Sequence, residues 1–168
     1  MNQRLFATSA LALITGLLPA LPAQAGVAVQ FVEPQRYSDA SSHGYGSDNT
    51  TLRALEGHFR TLGERCLKPG EQLDIRVLDV DLAGQPEWWH RATSDVRVMR
   101  EVTWPRLDLD YIWRDGNGRV LGEAKNEHLS DMAYLWHSAY VRMDRDALPY
   151  EKWMLRDWFE ERFCRRSG

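Results

Sequence analysis

The stretch Leu107-Asp108-Leu109-Asp110-Tyr111-Ile112-Trp113-Arg114-Asp115-Gly116-Asn117-Gly118-Arg119-Val120-Leu121-Gly122-Glu123-Ala124 decides the fold class. Leu107, Leu109, Tyr111 and Trp113 recur at every second position, the period of a half-buried strand. Asp115-Gly116-Asn117-Gly118 supplies residues that tolerate positive φ, as a tight hairpin requires. Centring the turn on Gly116-Asn117 predicts Trp113 opposite Val120, Tyr111 opposite Gly122 and Leu109 opposite Ala124, large residues over small ones. The same register sets Asp108 against Lys125 and Asp110 against Glu123.

Working outward from the hairpin, Leu73, Ile75 and Val77 alternate with Asp74 and Arg76, and the apolar phase then changes to Leu78, Val80 and Leu82. Either a bulge near Val77-Leu78 or a passage to a sheet edge accounts for the change, which leaves Asp79 and Asp81 in phase with Ile75 and Val77. Val27 to Val32 reads as an earlier strand, and Val96 to Trp104 as a further one. Leu52, Leu55, Phe59, Leu62 and Cys66 form one helical stripe, ended by Lys68-Pro69-Gly70 because proline cannot continue a helix. After the hairpin, Ser130 is placed to cap a helix with the stripe Met132, Leu135, Trp136, Ala139, Tyr140 and Met143. A last helix from about Pro149 to Phe163 carries Tyr150, Met154, Leu155, Trp158, Phe159 and Phe163 on one side. On these spacings Trp104, Trp113, Trp136 and Trp158 are core residues. Strands and helices in this order predict an α+β fold, with a mixed or antiparallel sheet of about four to five strands and helices packed on one face.

The chain has 168 residues, 43% hydrophobic and 27% charged, the composition of one globular domain. Its formal charge of -3 argues against a nucleic-acid partner held through phosphate neutralisation. The first segment has its own logic. Arg4, the apolar run Leu5 to Leu18 and the small residues of Ala23-Gln24-Ala25 predict a signal peptide over residues 1–25, cut before Gly26. The mature domain, 26–168, is then expected to be periplasmic or secreted, without a membrane span, and without a lipid anchor because no cysteine adjoins the cut. Cys66 and Cys164 are the only cysteines, and an oxidising compartment predicts that they pair.

Three groups of residues carry candidate chemistry. Asp79 and Asp81, with Asp108 and Asp110, form two Asp-x-Asp pairs, and residues two apart on a strand share a face. On neighbouring strands the four carboxylates would either hold a divalent cation or raise one another's pKa for acid catalysis; otherwise they form a solvated face. Trp88 and Trp89 lie in a polar segment with Glu87, His90 and Arg91, where exposed indoles would stack on a sugar or dock a protein. His128, Asp131 and His137 are close enough in sequence to be weighed as zinc ligands, although their spacing fits no established zinc pattern. No nucleophile elbow, phosphate-cradling loop, dinucleotide fingerprint or paired-cysteine metal motif is present.

Several segments resemble one family of exported bacterial proteins. They are Val29-Gln30-Phe31, Pro34, Tyr37-Ser38-Asp39, Asp79-Val80-Asp81-Leu82-Ala83-Gly84, Val96-Arg97-Val98, Leu109-Asp110-Tyr111, Leu129-Ser130-Asp131, Tyr150-Glu151-Lys152 and Asp157-Trp158-Phe159. The chain resembles domain of unknown function family 3016, found mainly in Gram-negative bacteria. The resemblance runs over nearly the whole mature chain and implies a periplasmic or secreted location; it assigns no chemistry. The expectation is a non-enzymatic binding or envelope-accessory domain without a cofactor, meeting an envelope protein or glycan through the Trp88-Trp89 loop or the sheet edge. The alternative is a cation-assisted hydrolase built on Asp79, Asp81, Asp108 and Asp110. A third reading is a structural accessory protein that self-associates.

Overall fold

The computed structural model describes residues 25–39, 50–86, 97–138 and 148–165. Strand β1 (Gly26–Phe31) runs parallel to β2 (Gln72–Asp81), and helix α1 (Thr50–Cys66) lies between them in sequence. Strand β2 pairs antiparallel with β5 (Arg106–Arg114), which pairs antiparallel with β6 (Val120–Ser130). The result is a four-stranded mixed sheet in the order β1-β2-β5-β6. A separate two-stranded ribbon joins β3 (Gln85–Pro86) to β4 (Arg97–Val98), so the strand expected over Val96 to Trp104 is shorter than its alternation suggested. Helix α2 (Pro149–Phe159) completes the α+β arrangement.

One face of the sheet holds the core. Leu52, Leu55, Phe59 and Leu62 of α1 meet Leu73, Ile75, Val77 and Val80 of β2, Leu107, Leu109 and Tyr111 of β5, and Leu155, Phe159 and Phe163 from the last helical segment. Each fully buried Leu or Phe of this kind stabilises by roughly 1.5–3 kcal/mol. Helix α1 comes close to β1 at Gly63, where an added Cβ would collide with Val27. A second small core gathers Ala83, Tyr134 and Tyr150 with Trp104 and Leu135 packed against it.

A bulge settles the phase change in β2. The register passes from Val77↔Leu109 to Asp79↔Asp108, leaving Leu78 as the extra residue. Val80 therefore returns to the core while Asp79 and Asp81 turn to the face opposite Ile75 and Val77, a correction to the phase read from the sequence.

The hairpin forms, but in a different register. Asp115 O accepts from Gly118 N at 2.9 Å, Asp115 N donates to Arg119 O at 2.9 Å, and Gly118 takes φ 81°. This is a three-residue loop with glycine in the left-handed position, not the two-residue loop expected. Asp115 Oδ1 also accepts from Asn117 N and Arg119 N, and these backbone donors, Arg119 first, hold its carboxyl below the usual range. The observed pairs are Trp113↔Gly122, Tyr111↔Ala124 and Leu109↔Glu127, and Asp108 faces His128 instead of Lys125. Two irregularities on β6 add to the shift, one between Val120 and Gly122 and one at Lys125-Asn126, where Asn126 has φ 52°.

Two further expectations change beyond β6. Ser130 ends the strand instead of capping a helix, and Tyr134–His137 forms a 3-10 turn. With about three residues per turn, Tyr134 faces inward, whereas Met132 and Trp136 are exposed and not core residues. At the C-terminal end, α2 passes into a wide π turn over Glu160–Cys164, closed by Arg165 N donating to Glu160 O at 2.9 Å. That turn keeps Phe163 buried and brings Cys164 to Cys66, where the predicted disulfide is formed.

The disulfide joins residues 98 positions apart. In the chain-entropy account, opening it through Cys66→Ala with Cys164→Ala should lower the unfolding free energy by about 4–5 kcal/mol. Urea denaturation of the variant and the parent measures the difference; overlapping curves would show that the bridge contributes nothing.

Candidate functional site

The four aspartates picked from the sequence do share one sheet face, and Asp79 stands directly opposite Asp108. They do not converge on a common centre, because each has its own partner. Asp79 accepts from Ser38 N at 2.7 Å and from Ser38 Oγ at 2.6 Å. Asp81 pairs with Arg106, whose Nε lies 2.8 Å away. Asp108 Oδ1 lies 2.6 Å from His128 Nδ1, and Asp110 accepts from Arg76 at 3.0 Å and from Asn126 N at 2.9 Å. With Asp74–Arg114 added, this face carries the cross-strand ion pairs Asp74–Arg114, Arg76–Asp110 and Asp81–Arg106 beside the hydrogen bonds of Asp79 and Asp108. Among the described residues no group of three or more His, Cys, Asp or Glu is arranged to hold a metal ion. His137 bonds Asp131 at 3.1 Å while His128 belongs to Asp108, so the sequence-local trio is divided. Trp88 and Trp89 lie outside the described residues.

A different cluster gathers residues that sequence spacing did not link. The ribbon β3–β4 brings Arg97 beside the turn Leu82-Ala83-Gly84. There its guanidinium donates to Ala83 O at 2.9 Å, to Leu82 O at 3.2 Å and to Gly84 O, and pairs with Asp39. Both side chains of the pair are only 10% exposed. From the first turn of α2, the buried Glu151 accepts from Ala83 N at 2.7 Å. Gly84 sits at φ 72°, and a side chain there would run into Met99 and Val98 O. The preceding segment is tied down as well: Tyr37 donates to Val77 O at 2.8 Å and Asp39 N to Val80 O at 3.1 Å, both beside the bulge. Burial pushes the Tyr37 phenol up to about 12.

Arg97 and Glu151, with Leu82, Met99, Leu148 and Pro149, line a cleft of about 250 Å³. Burial raises the Glu151 carboxyl above its ordinary value, opposed by the Ala83 N–H and by Arg97. Chemically, the cluster works as a lock: its charged groups are directed at backbone atoms and at each other. One signal for it was present in the sequence. Glu151 lies three and four positions before Met154 and Leu155, so a carboxylate falls on an apolar helix side.

Two surfaces stand apart from this lock. Trp136 and Met132, 87% and 70% exposed, project from the turn after β6. Beside Trp136, His137 stacks on Trp153 with ring centres 4.7 Å apart, and Arg156 lies 3.6 Å from the Trp153 ring centre on the same indole. The second surface is a groove between β6 and α2, lined by Glu127, Leu129, Asp131, Met154, Asp157 and Trp158 among others. None of the described helices is long and apolar enough to cross a membrane.

Comparison with known proteins adds one finding. The family described as Protein of unknown function (DUF3016) matches residues 25–161, and the chain belongs to it. The match runs from β1 through α2 and includes every residue of the lock. No curated protein and no solved structure matches the chain.

The lock predicts a pH dependence. Because the folded-state pKa of Glu151 is raised, its contribution to stability is full below the unfolded value and is lost as pH rises through the folded value. Glu151→Gln keeps an acceptor for Ala83 N and removes the titration. As pH rises from below the ordinary glutamate range to neutrality, the parent should lose stability relative to Glu151→Gln. Thermal unfolding followed across that range measures the two profiles, and parallel profiles would remove Glu151 from the account.

Proposed function

We propose that this chain is an exported, non-enzymatic binding domain of the cell envelope, periplasmic or secreted, that recognises an envelope protein or glycan. The observation that carries the reading is Trp136, 87% exposed beside an exposed Met132 on a turn anchored by the buried Tyr134. A large indole held in water by a structured turn is the kind of group that interfaces concentrate, since its burial on binding supplies much area at little entropic cost. Tyr134 fixes the turn by donating to Arg100 O at 2.7 Å. The leader read from residues 1–25 supports an envelope location. A hydrolase on Asp79, Asp81, Asp108 and Asp110 would first have to break four established pairings before a divalent cation could be held.

The test uses the full chain expressed in a Gram-negative host with a photo-reactive amino acid at position 136. Illumination should yield adducts with an envelope component, and the same label at the exposed Arg119 should not. Equal yields from both positions, or none from 136, would remove the patch from the case. N-terminal sequencing of the purified product should begin at Gly26; an intact Met1 would overturn the assigned location. Calorimetric titration with Ca²⁺, Mg²⁺, Mn²⁺ and Zn²⁺ should be silent, and a binding heat from any of them would favour the hydrolase.

A further inference from the structure

Strand β6 closes one edge of the sheet, with β5 as its only strand neighbour among the described residues. Asp131 N donates to Pro105 O at 3.3 Å, which makes that pair a hydrogen-bonded one. In an antiparallel ladder such pairs alternate with open ones. Following the register from Arg106↔Ser130 to Leu109↔Glu127, Leu129 and Glu127 fall at bonded positions, while Ser130 and His128 fall between them. The N–H and C=O of His128 and Ser130 therefore face away from β5. The bulge at Lys125-Asn126 interrupts the edge on the other side, so its regular part is short, Glu127 to Ser130.

Alongside this edge runs the groove shared with α2, about 330 Å³ in volume. Met154 and Trp158 are buried along it, and carboxylates dominate its polar lining: Glu127, Asp131, Asp157 and Glu161, against Arg162 and His128. Arg162 is already taken up by Glu127 at 2.7 Å. Glu127 Oε1 also accepts from Trp158 Nε1 at 3.0 Å, whereas Glu127 Oε2 is buried without a hydrogen-bond partner. A helix lying beside a free strand edge is the arrangement that captures extended peptides by strand addition. Asp131 is already bonded to His137 and Asp157 lies 3.5 Å from Arg156, so Glu161 and the unmet oxygen of Glu127 add the negative charge that selects for basic side chains, whose alkyl stems suit an apolar floor.

We infer that the groove between β6 and α2 binds an extended, basic peptide segment of a partner protein, which adds to the sheet beside Glu127–Ser130 and sets a lysine or arginine among Glu127, Asp157 and Glu161. The inference rests on the reading of this chain as a binding domain but uses a surface distinct from Trp136. The probe is a blocked hexapeptide alternating threonine and lysine, with an alternating threonine–glutamate hexapeptide as control, each titrated into the full mature chain. The lysine peptide should bind and the glutamate peptide should not. Amide resonances of His128 and Ser130 should shift on binding. Asp157→Lys combined with Glu161→Lys should weaken binding at least tenfold, and Trp136→Ala should leave it unchanged, so failure here is separable from failure at the Trp136 patch. N-methylation of alternate peptide amides should abolish binding in one phase and spare it in the other. Equal binding of both peptides, indifference to both N-methylated phases, or amide shifts confined to other strands would overturn the inference.

Discussion

The guanidinium of Arg97 is the constraint from which the rest of the structure is best understood. It gathers the carbonyls of Leu82, Ala83 and Gly84 and the carboxylate of Asp39, all within a region almost closed to water. Taking two charges out of water is unfavourable unless each is met by good partners, and here the backbone supplies them. Removing one member of such a pair leaves the other buried and unmatched, at a cost of about 3–5 kcal/mol. Four distant parts of the chain depend on this one group: the segment after β1, the end of β2, the ribbon, and, through Glu151 and Ala83, the start of α2. Four of the nine segments that carry the family resemblance supply a residue to it.

Single-residue insertions decide what each face of the sheet carries. Because side chains alternate along a strand, one extra residue exchanges the faces of everything beyond it. Leu78 does this on β2, returning Val80 to the core and sending Asp79 and Asp81 to the open face. Lys125-Asn126 does it on β6, turning Glu127 and Leu129 inward and His128 outward to Asp108. The open face thereby gathers the pairs Arg76–Asp110, Arg106–Asp81 and His128–Asp108, and the acidic groove appears where Glu127 meets α2. Both features follow from bulges, and neither follows from composition.

The stripes were legible because burial against one continuous core imposes a strict period. Leu52, Leu55, Phe59 and Leu62, the alternation through Leu73, Ile75 and Val77, and the apolar side of α2 all stand where their spacing puts them. The bulge near Leu78 was legible too, as one of two accounts of a break in phase. Where spacing misled, a local backbone choice had replaced a regular one. Trp136 fits a helical period but belongs to a 3-10 turn, and the Gly116-Asn117 turn takes Gly118 into its loop. Of the candidate site, the aspartates were found as a group sharing a face, but their pairing with Ser38, Arg106, His128 and Arg76 was beyond reach. Those partners lie far away along the chain.

What the amino-acid sequence determined by itself was the kind and order of the four main strands and of α1 and α2, the apolar stripes that form the core, and the cysteine pair available for a bridge. These are consequences of local steric preference and hydrophobic period, which act over a few residues. Only the tertiary structure decided the strand register, the union of Asp39, Arg97 and Glu151, and the groove between β6 and α2. Each of those depends on polar atoms from distant segments reaching within hydrogen-bond distance. That condition is short-ranged and directional, so no pattern along the chain announces it.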